Sequence, residues 1–186
     1  MVTLRDLLAA IYGALRLARL DPSGLAFFDN TEDSFWRSFW AAVVVAPGYI
    51  LILGLHLIRQ PEDDPFRYLA VQSIAYVIGW VAFPLAMVHI SRLLDREDKL
   101  FRYIAAYNWF HLVRTAILVP LALLSATAVP EGALAFLSLI VLAALLMYDW
   151  FIASRALEID MMFASGLVFI DLFLGFMIDG VARSLG

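Results

Sequence analysis

The sequence predicts an all-α fold: a polytopic membrane bundle of five transmembrane helices preceded by an N-terminal amphipathic surface helix. Three observations predict it. The 186 residues are 63% hydrophobic and only 16% charged, whereas a soluble domain runs nearer half apolar and a quarter charged. The apolar residues gather into five blocks, each at least the ~20 residues that cross a ~30 Å hydrocarbon core. Arginines stand at the ends of these blocks, where headgroup layers would lie.

Residues 1–37 form a cytoplasmic surface helix and a juxtamembrane junction. From Thr3 to Leu20, the residues Leu4, Leu7, Leu8, Ile11 and Leu15 share one arc of a helix, while Arg5, Arg16 and Arg19 share the other. A basic amphipathic helix of this kind lies on an anionic leaflet, which makes Arg5, Arg16 and Arg19 candidate membrane-surface contacts. Packing on the cytoplasmic face of the bundle is the second reading of the same pattern. Asp21-Pro22 ends the helix. Arg16 and Arg19 interrupt what would be the apolar core of a signal peptide, so no cleaved leader is expected.

Residues 38–186 form the transmembrane domain, with spans predicted at about 38–58, 68–91, 103–129, 133–154 and 161–182. Arg37 and Arg59 bracket the first, and Arg67 and Arg92 bracket the second. Arg102 precedes the third, Arg155 follows the fourth, and Asp160 and Arg183 enclose the fifth. Pro47, Pro84 and Pro120 lie inside spans and read as kinks, because neighbouring helices satisfy the freed carbonyls. Pro130-Glu131-Gly132 is so short a connection that spans three and four are antiparallel neighbours. Ala75 and Gly79 form a small-xxx-small pair, the mark of a close helix contact. The groups Phe35-Trp36, Phe39-Trp40, Tyr107 with Trp109, and Tyr148 with Trp150 read as an interfacial aromatic belt.

Basic residues set the orientation. With the N-terminus cytoplasmic, the inner side carries Arg5, Arg16, Arg19, Arg37, Arg92, Arg96, Lys99, Arg102 and Arg155, and the outer side only Arg59, Arg67 and Arg183. That asymmetry predicts a cytoplasmic N-terminus and a C-terminus on the opposite, outer side.

Composition excludes several activities. The absence of cysteine removes disulfides, thiolate metal sites and thiol nucleophiles. A net charge of -4 without a basic run argues against a nucleic-acid partner. His56, His89 and His111 are far apart, so no metal site is expected. His89 and His111 would also differ by ~9 Å in depth, too much for a bis-histidine haem, and no cofactor is expected. Phe163-Ala164-Ser165-Gly166 is similar to the serine motif of rhomboid intramembrane proteases. No histidine follows Ser165 on a later helix, so it reads as a small packing residue and no catalytic residue is assigned.

Charges inside the spans carry the remaining functional signal, because they are costly there and face partners or water. Arg114 lies ~18 Å from the cytoplasmic end of span three and Asp171 ~16 Å from that of span five. Equal depth predicts an Arg114–Asp171 ion pair. Asn108, His111 and Thr115 follow i, i+3, i+7 spacing on one face of span three, and Asp149 lies at the level of Asn108 on the adjacent span. Asn108, His111, Arg114, Asp149 and Asp171 are therefore expected to form an intramembrane polar cluster. It reads either as inter-helix pairs that fix packing or as a proton or ion relay. The packing reading is preferred, since one arginine among acids holds them ionised. Asp179 is expected near the outer interface.

The layout resembles the bacterial branch of the YIP family, the five-span Ypt/Rab-GTPase-interacting membrane proteins. The resemblance lies in a cytoplasmic N-terminal segment before five closely spaced helices and in Asp21-Pro22 followed by Phe27-Phe28-Asp29. It lies also in Phe35-Trp36-Arg37-Ser38-Phe39 running into Ala41-Ala42 and Pro47. It implies a protein of membrane organisation or trafficking. The acidic-tyrosine-glycine-proline element of eukaryotic members is absent, so no Rab partner is implied. The leading expectation is a non-enzymatic inner-membrane protein, an accessory subunit or organiser. It would contact the lipid bilayer and a membrane-protein partner or a second copy of itself. The alternative is a small transporter or proton- or ion-translocating protein that uses the intramembrane charges.

Overall fold

A computed structural model describes residues 3–60, 62–127 and 129–185. They form helices α1 (Leu4–Ala18), α2 (Glu32–Ser38), α3 (Trp40–Arg59), α4 (Pro65–Leu93), α5 (Leu100–Ser125), α6 (Glu131–Ala156) and α7 (Met161–Leu185), with no strand among the described residues. Five helices are long and apolar enough to cross a membrane, the first counted through α2 and α3 together. Pro47, Pro84 and Pro120 lie inside α3, α4 and α5 without ending them.

Helix α1 starts at a capping box. The Thr3 hydroxyl accepts from the Asp6 amide at 3.2 Å, and the Asp6 carboxylate accepts from the Thr3 amide at 3.0 Å. The Thr3 donors, with lesser help from Arg37 and Arg5, hold the Asp6 carboxyl below its ordinary range. The helix ends at Ala18, two residues before Asp21-Pro22, and Leu20 turns the chain with a left-handed φ of 59°. Asp21 then caps a 3-10 turn, Pro22–Phe27, accepting from the Ser23 amide at 3.0 Å, and pairs with Arg16 at 2.6 Å. The turn folds back onto α1 through two glycines. A Cβ on Gly24 would lie 2.6 Å from the Gly13 carbonyl oxygen, and one on Gly13 would lie 2.7 Å from Phe27 Cβ.

Helix α5 is the hub. It packs against α1, α2, α3 and α6, and more lightly against α4, while α7 closes the bundle on α4 and α6. Spans three and four are thus neighbours, as their short connection requires. The close approach of α3 to α5 occurs at Gly48, where a Cβ would lie 2.5 Å from Thr115 Cγ2. Gly79, expected at such a contact, has nothing within 4 Å of its Cβ position. Between α3 and α4 the contact is made by long side chains. Tyr49 and Tyr76 stack at 4.6 Å, and the Tyr76 hydroxyl donates to the Ala42 carbonyl at 2.6 Å.

Burial is concentrated at the end of the bundle that carries α1. The buried residues of α4 are mostly Trp80 to Ser91, those of α5 Leu100 to Val113, and those of α6 Leu145 to Ala156. The antiparallel run of α5 and α6 brings these segments to one end. A Lys99–Glu158 ion pair joins the turn before α5 to the turn after α6 and keeps the Glu158 carboxyl below its ordinary range.

Several sequence expectations change. The third span ends at Ser125 rather than near residue 129, followed by turn hydrogen bonds from Ala126 and Thr127 to Leu123 and Leu124. The second, fourth and fifth helices run past their predicted ends by two or three residues on at least one side. Three of the eight residues of the proposed aromatic belt are core instead. Tyr107, Trp109 and Tyr148 are buried, whereas Trp36 and Trp40 are exposed. Tyr107 turns inward onto Phe83 of α4 and Asp171 of α7, and Tyr148 onto α1 and Phe110 of α5, which outweighs their nearness to the predicted interface.

Candidate functional site within the bundle

Five residues were expected to meet: Asn108, His111, Arg114, Asp149 and Asp171. The structure divides them among separate surroundings. Asn108 is fully buried and donates from Nδ2 to the Ser38 hydroxyl at 2.8 Å. Ser38 in turn donates to the Phe35 carbonyl at 2.6 Å, so Asn108 ties α5 to α2. His111 sits in an aromatic cage, its ring 4.9 Å from those of Trp80 and Tyr107 and 5.5 Å from that of Phe110. Thr115 fills the hollow left by Gly48.

Asp171 does not pair with Arg114. It accepts from the Tyr107 hydroxyl at 2.5 Å, and Arg114 is exposed, with no ion pair among the described residues. The reason is geometric. Arg114 lies two turns, or ~10 Å, beyond Tyr107 on nearly the same face of α5. A vertical offset of that size between α5 and α7 moves the partner of Asp171 from the guanidinium to the phenol.

Asp149 is 3% exposed, and its Oδ1 has no hydrogen-bond partner. Tyr103 and Tyr107 lie one turn apart on α5, their ring centroids 6.3 Å apart. Tyr103 is fully buried, and its hydroxyl is also without a partner. Phe83 of α4 packs on both phenol rings, at 6.3 Å from Tyr103 and 4.6 Å from Tyr107. The geometry thus joins α5 to α7 through Tyr107 and Asp171, while Asp149 on α6 and Tyr103 on α5 each keep a buried oxygen without a partner among the described residues.

Tyr103, Tyr107 and Tyr148 are the residues that sequence reasoning missed. Tyr148 donates to the Ala14 carbonyl at 2.7 Å and latches α6 to α1. Their signal was available: Tyr103 and Tyr107 are spaced i, i+4 on the helix that carries Asn108 and His111. Reading tyrosine as an interfacial residue concealed it.

The three surface arginines also differ among themselves. Arg5 and Arg19 are exposed, while Arg16 is engaged by Asp21. Ser165 donates back to the Met161 carbonyl at 2.8 Å within its own helix. Asp179 is exposed on the last turns of α7. Comparison with protein-family models, characterised proteins and solved structures gives no match.

Proposed function

We propose that this chain is a non-enzymatic integral protein of the bacterial inner membrane, of the five-span YIP type. It would act as an accessory or organising protein that contacts lipid on its cytoplasmic side and other membrane proteins within the bilayer. The carrying observation is the outer face of α1. The helix turns Ala10, Gly13, Ala14 and Leu17 onto the bundle and leaves Leu4, Leu8, Tyr12 and Leu15 uncovered. These four fall at i, i+4, i+8 and i+11, one continuous stripe that Arg19 prolongs and Arg5 flanks. An apolar stripe with cations at its margin suits the boundary between acyl chains and anionic headgroups. Packing on the bundle and docking on lipid, two alternatives in the sequence, are compatible because they use different faces of one helix. Arg16 contributes less, since Asp21 neutralises it.

The chain has no cysteine, so Leu8→Cys can carry an environment-sensitive fluorophore in reconstituted vesicles. Brominated acyl chains should quench a label at position 8 and leave one at the exposed Asp29→Cys site unquenched. Equal quenching at the two positions overturns the lipid-contact reading. For the accessory role, purification in mild detergent should bring down a stoichiometric companion, and a clean monomer throughout counts against it.

A further inference from the structure

Where α1, the Pro22–Phe27 turn, α2 and α5 meet, the chain encloses a cleft of about 280 Å³. Asp6 of α1, Asp29 after the turn, and Ser34 and Arg37 of α2 supply its polar wall. Phe27, Phe28 and Trp109 supply its aromatic wall. The charges do not balance. Arg37 is the one cation among its described lining residues, and two carboxylates already hold it. Its Nε lies 3.0 Å from Asp33 Oδ2, and its Nη1 lies 3.6 Å from Asp6 Oδ2. The Thr3 amide and hydroxyl also approach Asp6 through Oδ2, at 3.0 and 2.8 Å, which leaves Asp6 Oδ1 as a free acceptor. Asp29 is exposed and has no ion pair among the described residues. Three carboxylates therefore share one guanidinium.

We propose that this cleft binds a primary ammonium group carried on a short alkyl chain, either the headgroup of an aminophospholipid or a free amine of the ethanolamine kind. A primary ammonium has three N–H donors, which Asp29 and Asp6 Oδ1 accept. Aromatic rings attract such a cation and pack against its methylenes. The volume falls below the roughly 300–1,000 Å³ of sites for larger ligands, which suits a group of this size. An anion would face the excess of carboxylates. A divalent metal ion would need more oxygens, since no three carboxylate or imidazole side chains converge among the described residues. On α1 the cleft is lined by Asp6, Ala9 and Ala10, opposite the stripe of Leu4, Leu8, Tyr12 and Leu15. The proposal and the lipid-contact reading of that stripe therefore fail separately.

The test uses the full chain in lipid nanodiscs, with thermal unfolding as readout. A ligand that binds only the folded protein raises Tm with its concentration. In discs of phosphatidylcholine and phosphatidylglycerol, which carry no primary amine, ethanolamine hydrochloride replaces sodium chloride at constant ionic strength. Tm should rise, and tetramethylammonium chloride, which has no N–H, should raise it less. Replacing phosphatidylcholine by phosphatidylethanolamine separates the two sources. A higher Tm there, with the response to free ethanolamine lost, assigns the site to the lipid headgroup. An undiminished response assigns it to the free amine. Asp29→Asn removes one charge from an exposed side chain and should weaken the apparent affinity about ten- to a hundredfold. Asp63→Asn, in the turn between α3 and α4, should leave it unchanged. The proposal is overturned by no rise with either form of amine, by an equal rise with tetramethylammonium, or by equal rises in the unmodified chain and Asp29→Asn.

Discussion

At the scale of single residues, the partner of Asp171 is a phenol rather than a guanidinium, and double-mutant cycles distinguish the two. Tyr107→Phe should destabilise the bundle by about 1.5–3 kcal/mol, the range for a hydrogen bond to a charged group. Its effect should be non-additive with that of Asp171→Leu. Arg114→Leu and Asp171→Leu should instead add, as non-touching sites do. Unfolding in mixed detergent micelles reads both cycles, and coupling between Arg114 and Asp171 would restore the ion pair. A second residue-scale prediction concerns Gly48. Gly48→Val places a side chain against Thr115 Cγ2, already 2.5 Å from the Cβ position, and should cost about 1–3 kcal/mol of overpacking. Thr115→Ala in the same chain should recover most of it. The charged residues of the site were legible because a charge in an apolar span stands out. Tyr103 and Tyr107 were not, because tyrosine occurs both in cores and at interfaces. Height along a helix can be counted in residues, but the offset between two helices is set by packing of the whole bundle.

At the scale of elements, α1 has two distinct faces, of which the sequence pattern marked one. The leucine arc is present, yet the packed face is the small-residue one, because only Gly13 and Gly24 admit the returning 3-10 turn. Gly24→Ala meets backbone that cannot yield, and should undock the turn from α1. Faster amide exchange at Gly13 and Leu17 would report it, and unchanged exchange would show that the crossing tolerates a Cβ. The same junction titrates. Hydrogen bonds from the Ser23 hydroxyl, Arg16 and the Ser23 amide hold Asp21 at a pKa of about 2, against an ordinary 3.8. A depressed folded-state pKa stabilises at and above the ordinary value and is lost as pH falls through the folded one. The α1 junction should therefore loosen between about pH 4 and pH 2. The Ser23 amide exchange reads that loosening, and Asp21→Asn should remove its pH dependence. At the other end of α1, Thr3→Ala should cost about 0.5–2 kcal/mol of helix stability by deleting the cap.

At the scale of the whole molecule, hydropathy located the five long helices to within a few residues. It did not show that the packed core would lie at one end. That asymmetry comes from α1 and α2, which cover the first half of α5 and leave its second half to α3, which approaches it closely at Gly48. It also defines two poles. One holds α1, the Glu97–Lys99 turn before α5 and the junction of α6 with α7; the other holds the turn between α3 and α4 and the end of α7. The basic residues divide along the same poles. Arg5, Arg16, Arg19, Arg37, Arg92, Arg96, Lys99, Arg102 and Arg155 lie at the first, and Arg59, Arg67 and Arg183 at the second. If the positive-inside rule orients the chain, the first pole faces the cytoplasm. Single cysteines in this cysteine-free chain test it directly. In intact spheroplasts, an impermeant maleimide should label Asp63→Cys and Ser184→Cys, while Ser23→Cys and Asp98→Cys should react only after the membrane is opened. The opposite pattern would invert the protein and place the α1 stripe on the outer leaflet. Mixed labelling within one pole would contradict the antiparallel arrangement of α5 and α6.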